Sequence, residues 1–230
     1  MVGALMKTPE FANKLITHEK DIEYFNDFSA PLMELIHSTH YTNINSTIAF
    51  FGPMLYFFVR SIGAEQVLEI GHAEGYTSWY LANAVKDNAT RFQMAGNKYH
   101  GIDIIGQKPS MVEGFEKHNL PSDIRCMDSM DLTPETFGKT FDVIFQDGNH
   151  DTEHVIKEFE TMWPALKEGG KGYWLMHDVM GPAEDGYKAI RQLIKDGKYN
   201  AEYVAIDCVY GLGIIRKMDN FDLNASHWSE

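Results

Sequence analysis

Residues 141–154 read FDVIFQDGNHDTEH and residues 171–179 read KGYWLMHDV. Phe141, Val143, Ile144 and Phe145 form a short β-favouring run that stops at Asp147-Gly148-Asn149, residues suited to a turn. Val155, Phe159, Met162, Trp163 and Leu166 then recur at helical spacing, and Lys167-Glu168-Gly169-Gly170 supplies the stop. The next apolar run, Tyr173 to Met176, leads into His177-Asp178. A strand, a helix and a second strand in this order form a right-handed crossover, so the two strands are parallel. Carboxyl ends of parallel strands face one crevice, and ligands bind there. The pattern therefore brings Asp147, His150, His177 and Asp178 to one place.

Working outward, strands are expected near Gln66–Ile70, Tyr99–Ile104, Asp123–Met127, Phe141–Gln146, Lys171–Met176, Tyr203–Asp207 and Leu212–Lys217. Helices are expected over Tyr76–Lys86, Ser110–His118, Thr152–Leu166 and Glu184–Lys195, with one or two more over Thr8–His40. Only Cys208-Val209-Tyr210-Gly211 separates the last two strands, and a parallel crossover needs about a dozen residues, so that pair is antiparallel. The expected fold is α/β: a Rossmann-like three-layer sandwich whose mostly parallel sheet of seven strands has its last strand reversed. A helical extension over 1–46, a ligand-binding domain over 47–218 and a polar tail over 219–230 complete the organisation.

With 230 residues and 44% apolar content the chain can bury a core as one soluble domain. The 20 basic against 33 acidic side chains give a formal charge of −13, which opposes binding to nucleic acid or to an anionic membrane. Cys126 and Cys208 are too few for a disulfide framework, lack metal-finger spacing and are expected as core thiols. Met1–Glu10 lacks the apolar core of a secretory signal, which points to the cytoplasm. The most apolar window, Ile48–Val59, is shorter than the roughly 20 residues of a membrane span and contains Gly52-Pro53. Its aromatic residues Phe50, Phe51, Tyr56, Phe57 and Phe58 suit core packing or a subunit contact in a homo-oligomer.

The first strand decides the kind of ligand. In VLEIGHAEGYTS, residues 67–78, Glu69 precedes Gly71 and Gly75, which are spaced Gly-x-x-x-Gly before a helix. Glycines let the backbone turn sharply and approach a ligand, but the Gly-x-Gly-x-x-Gly fingerprint of a pyrophosphate site is absent. Asp103, at the end of the second strand, is placed to accept hydrogen bonds from ribose hydroxyls. Asp128-Ser129-Met130, after the third, frames an adenine ring. The plain alternatives are that Glu69 and Asp103 are a turn acid and a surface acid, and that Asp147 and Asp178 cap helices. His150 then becomes a solvent-facing loop residue and His177 one hydrogen-bonded behind the site or in the core. Asp151 and His154 also lie nearby and are expected to face outward at the helix start.

The acid-x-Gly-x-x-x-Gly loop, the acid ending strand two and the reversed last strand together resemble the class I S-adenosylmethionine-dependent methyltransferases over roughly Thr47 to Lys217. Asp147-x-x-His150 followed by His177-Asp178 resembles, more narrowly, the metal-dependent small-molecule O-methyltransferases. These include the catechol type and the macrolide-sugar O-methyltransferase and cephalosporin-hydroxylase-like group. The resemblance implies transfer of a methyl group to a small hydroxylated acceptor. It implies that Glu69, Gly71, Gly75, Thr77, Asp103, Asp128, Ser129 and Asp147 hold S-adenosylmethionine, and that Asp147, His177 and Asp178 hold a divalent metal. It assigns catalysis to His150 as general base together with Asp147, and a cofactor-covering role to His40–Thr47. His177 departs from the family, which has a carboxylate there. Magnesium stays the first expectation, and the added imidazole brings zinc or manganese into range. A nicotinamide-dependent oxidoreductase and a noncatalytic cofactor-binding subunit are the alternative readings.

Overall fold

Helices separate most of the strands, as the apolar runs require. The computed structural model describes residues 46–208 and 210–219. The helices expected over Thr8–His40, the extension over 1–46 and the tail over 219–230 lie outside the described residues, save 46 and 219 themselves. In chain order the elements are α1 (Ser46–Ser61), β1 (Gln66–Ile70), α2 (Tyr76–Phe92), β2 (Lys98–Asp103), α3 (Pro109–Lys117), β3 (Ser122–Cys126), β4 (Val143–Gln146), α4 (Thr152–Met162), β5 (Gly172–His177), α5 (Glu184–Lys195), β6 (Ala201–Ile206) and β7 (Leu212–Lys217).

The sheet has seven strands in the order β3-β2-β1-β4-β5-β7-β6. All neighbours from β3 to β5 pair parallel, whereas β7 runs antiparallel to both β5 and β6. The reversed last strand is thus as expected, and it is inserted between β5 and β6 because the short turn folds it back beside its predecessor. The order reverses between β1 and β4, which is the switch point where an open α/β sheet takes its ligand.

Alternation along the strands distributes the layers. Phe145 meets Phe51 of α1, with ring centroids 5.6 Å apart, on one face. On the other, Trp174, which pairs in register with Ile144, meets Phe159 of α4 edge-on at 5.3 Å. Adjacent residues of a strand point to opposite faces, so α1 and α4 lie on opposite sides of the sheet. Helix α1 buries Phe51, Leu55 and Val59 at helical spacing. Among the described residues no helix is long and apolar enough to cross a membrane.

Several boundaries moved for local reasons. Helix α2 runs past Lys86 because Asn88, fully buried, donates to the carbonyls of Val59 (3.0 Å) and Ala64 (2.9 Å). Helix α4 ends at Met162 and passes into a 3-10 turn, Trp163–Ala165, where Pro164 cannot supply an amide proton. The two cysteines correct an expectation, since both are free thiols but neither is in the core. Cys126 is exposed and Cys208 partly so, because Cys126 ends the edge strand β3 and Cys208 lies in the turn after β6.

Asp142 ties the starts of β1 and β4 together. Its Oδ2 accepts from the amides of Glu65 (2.9 Å) and Gln66 (2.8 Å), and its Oδ1 lies 2.8 Å from Lys167 Nζ. Asp142→Ala is expected to cost about 3 kcal/mol, since it orphans two amides and a half-buried ammonium. Urea denaturation measures this, and a cost near zero would show that the strands are held in place without it.

Candidate functional site

The loops after β1, β2 and β4 converge at the switch point. The Asp147 amide donates to Ile70 O and the Gly71 amide to Ile102 O, each at 2.9 Å. Gly71 and Gly75 both have φ +87°. A side chain on Gly71 would place its Cβ 2.5 Å from the Asp147 carbonyl oxygen, whereas one on Gly75 would meet the Met111 side chain, with Sδ at 2.7 Å. Gly71 is therefore required for backbone to approach backbone, in addition to any approach by a ligand. Thr77 sits in the first turn of α2, partly exposed.

Asp103 fastens the same turn from the neighbouring strand. It accepts from the amides of Ala73 (2.8 Å) and Ile105 (3.0 Å), which leaves lone pairs on both oxygens for further donors. Ile104 and Ile105 beside it are 70% and 57% exposed, and Met130, past the end of β3, is 45% exposed, so apolar side chains stand open around this strand end. Asp128 is exposed and caps a 3-10 turn, Ser129–Asp131, by accepting from the Met130 amide at 2.9 Å.

Glu69 lies beneath the glycine turn, 0% exposed. Ser78 of α2 donates to its Oε2 at 2.5 Å, and the Tyr99 hydroxyl of β2 donates to the same oxygen. Loss of water, reinforced by Asp147 and Asp103, pushes the carboxyl up to about 8 against the two hydrogen bonds. Ser78 and Tyr99 were not foreseen, because neither position carries a signal in the sequence.

The acids and imidazoles after β4 and β5 do meet. His177 Nδ1 lies 3.0 Å from Asp147 Oδ1 and 3.4 Å from Asp178 Oδ1, and His150 Nε2 lies 3.0 Å from Asp178 Oδ2. One ligand atom each from Asp147, His150 and Asp178 fall within 4.8 Å of one another, a spacing that can hold a metal ion. The two imidazoles differ in access: the His150 side chain is 35% exposed and that of His177 8%, under the ring of Phe51 at 4.4 Å. The Asp178 carboxylate, placed to accept from its Nε2, raises His150 above its ordinary range. Burial raises Asp147, with His177 opposing the shift. Neither aspartate caps a helix, since α4 is preceded by Asp151 and α5 by Ala183.

Asp178 has φ 62°, a strained conformation for a residue with a side chain. The loop that follows it is tied to the β6–β7 turn by a hydrogen bond from the Met180 amide to Tyr210 O at 2.8 Å. Tyr210, with φ 58°, and Met180 are 52% and 46% exposed beside the acidic cluster.

His154 corrects a further expectation. Its ring is turned inward, with Nε2 2.8 Å from Ser129 Oγ and 3.1 Å from Glu158 Oε1, because the buried carboxyl of Glu158 lies one turn along the same helix. Asp151 is exposed as expected.

With this geometry in view, residues 68–179 match a family model described as a methyltransferase domain. This segment is similar to a methyltransferase domain. No curated protein matches the chain in sequence. Among solved structures it is similar to the SAH-bound methyltransferase PaMTH1 of Podospora anserina, at 16% identity and TM-score 0.61, over 95% of this chain and 100% of that one. It is also similar to the O-methyltransferase TomG of Streptomyces achromogenes in complex with SAM, at 16% identity and TM-score 0.60, over 90% and 94% of the two chains. A third is an O-methyltransferase of Bacillus cereus in complex with SAH, at 18% identity and TM-score 0.59, over 85% and 96%. At these identities the likeness shows the fold.

Glu69 yields a test of its protonation. A carboxyl that titrates near 4.5 when unfolded and near 8 when folded keeps in the native state a proton that the unfolded chain has lost. Stability therefore falls as pH rises through that window, by at most about 1.4 kcal/mol per pH unit. Glu69→Gln, which cannot titrate, is expected to match the wild type near the lower end and to exceed it increasingly toward the upper end. Urea melts at both pH values decide it, and a gap independent of pH would mean that Glu69 is already ionised in the fold.

Proposed function

We propose that this chain is a methyltransferase that binds S-adenosylmethionine at the β1/β4 switch point and methylates a hydroxyl oxygen of a small molecule with help from a divalent cation. The observation that carries the reading is the meeting of Asp147, His150, His177 and Asp178 beside the glycine turn. The SAM- and SAH-bound structural relatives support the choice of cofactor. The match to a methyltransferase domain sets the nicotinamide reading aside. A net charge of −13 favours a small-molecule acceptor over nucleic acid or a membrane surface. A cytoplasmic location, and a homo-oligomer that covers Phe57, complete the proposal.

In this reading the Gly71–Gly75 turn receives the amino-acid end of the cofactor, with Glu69 and Thr77 at its base. Asp103 accepts from the ribose hydroxyls, and Asp128 and Ser129 face the base, with Ile104 and Met130 as apolar walls. Asp147 and Asp178 hold the cation, magnesium first and manganese or zinc as alternatives, with His177 as the buried imidazole beside both carboxylates. When bound, the cofactor supplies a sulfonium methyl for in-line displacement, and the cation lowers the pKa of the acceptor hydroxyl. His150, the accessible imidazole, takes the acceptor proton: Asp178 favours a proton on Nε2, which leaves the lone pair on Nδ1. A second reading makes His150 a metal ligand, favoured by its place in the 4.8 Å cluster.

The cofactor is tested by calorimetry. S-adenosylmethionine and S-adenosylhomocysteine should both bind, NAD should not, and Asp103→Asn should weaken both. Asp103→Ala should cost roughly 1.5–3 kcal/mol, and more if the Ala73 and Ile105 amides it releases loosen the turn. Undiminished binding in both variants would remove Asp103 from the site.

Metal titration paired with rate-versus-pH profiles separates the two roles of His150. Chelation should abolish turnover, and Asp147→Asn and Asp178→Asn should weaken the metal while leaving cofactor affinity nearly unchanged. His150→Ala should lose roughly 10²–10⁴-fold in turnover with the metal still bound, as removal of a general base does. His177→Ala should weaken the metal first. Loss of metal from His150→Ala would establish the ligand reading, and turnover that survives chelation would end the metal proposal.

A further inference from the structure

Helix α4 presents Val155, Glu158, Phe159 and Met162 to the core, so an acid stands where the helical pattern calls for a fourth apolar residue. Glu158 is 1% exposed, and burial pushes its carboxyl up. Its partners are side chains: His154 Nε2 at 3.1 Å, with Ser129 and Gln146 beside it. A buried carboxyl carries a large desolvation cost, and an apolar residue of similar size in its place is often neutral or stabilising. What the acid contributes is then sought in what it holds.

The hydrogen bonds around His154 define that. Asn149 Oδ1 accepts from the Asp151 amide at 2.8 Å, which turns its Nδ2 donor toward His154 Nδ1 at 3.3 Å. Nδ1 is therefore the acceptor nitrogen and Nε2 carries the proton, directed at Ser129 Oγ at 2.8 Å, with the Glu158 carboxyl 3.1 Å from the same nitrogen. Gln146, fully buried, donates from Nε2 to Asn149 O at 2.9 Å and closes the network. Ser129 belongs to the turn after β3, and Asn149 to the loop after β4 that also carries His150. One imidazole thus joins two loops that the sheet itself does not connect, since β3 and β4 are separated by β2 and β1.

We propose that Glu158 and His154 are a positioning pair that locks the loop after β3 to the loop after β4 and so sets the nucleoside end of the cofactor cleft. This rests on the proposed binding of S-adenosylmethionine. Glu158 keeps the His154 ring in one tautomer and one orientation, and the ring fixes the Ser129 hydroxyl and the Asn149 amide. Neither residue of the pair needs to touch the cofactor.

The test uses calorimetry of the full chain with S-adenosylhomocysteine and with 5′-methylthioadenosine, which keeps the base and ribose but lacks the amino-acid end. Binding by the wild type checks the cofactor reading by itself, and its absence would end that reading before any variant is made. Glu158→Leu keeps the bulk and removes the acceptor, and it should weaken both ligands by about tenfold, by the same factor, with the fold intact. Glu158→Gln, which keeps an acceptor oxygen, should stay close to the wild type, as should Lys157→Ala on the outer face. Ser129→Ala should weaken binding in the wild type but add nothing in Glu158→Leu, because the two act as one unit. Should Glu158→Leu fail to fold, Ser129→Ala alone and combined with His154→Phe repeats the test with Glu158 in place. Wild-type affinity in Glu158→Leu, strictly additive losses, or a loss confined to S-adenosylhomocysteine would each overturn the proposal.

Discussion

Everything at the carboxyl end of the sheet depends on how closely two peptides approach at the strand-order reversal. Gly71 lies against the Asp147–Gly148 backbone with no room for a Cβ, and the Asp147 amide is bonded to the last residue of β1. This contact fixes where Asp147 stands relative to the glycine turn. It also sets Asp147 within reach of His177, and thereby Asp178 and His150, since each holds the next. A shift of a few tenths of an ångström at Gly71 would pass to all four side chains.

The neighbourhood is strongly acidic. Asp103 and Asp147 both press on Glu69, and each of the three acids is accommodated differently. Glu69 is kept from water and holds its proton, Asp103 takes two backbone amides, and Asp147 takes an imidazole. Such an assembly favours positively charged occupants, and a sulfonium, an α-ammonium and a divalent cation all have that sign. The excess of acids over bases in the whole chain has a local counterpart at the place where the reaction would occur.

The fold was legible because its signals are local and repeated: apolar runs of strand length, helical spacing between them, and a final loop too short for a crossover. The acids at the ends of β1, β2, β4 and β5 were legible for the same reason, since topology alone carries them to one edge. What stayed hidden depends on contacts between residues far apart in the chain. Nothing near Ser78 or Tyr99 reveals that both turn toward Glu69. The inward turn of His154 was missed because the sequence shows a polar residue near a helix start, where solvent is the usual neighbour; the buried partner that reverses this, Glu158, is itself an exception to the helical pattern. Cys126 was misplaced by a preference of its residue type that an edge strand does not honour.

The bond between the Met180 amide and Tyr210 gives the last hairpin leverage over chemistry it does not carry. Asp178 is held in a conformation it would not choose, and the loop that holds it is latched to a turn outside residues 68–179, the segment that matches the family. A change in the length of that turn would retilt the Asp178 peptide and move two exposed side chains, Met180 and Tyr210, without replacing Asp147, His150, His177 or Asp178. The geometry at Asp178 can thus be altered from a hairpin that the match to a methyltransferase domain does not reach.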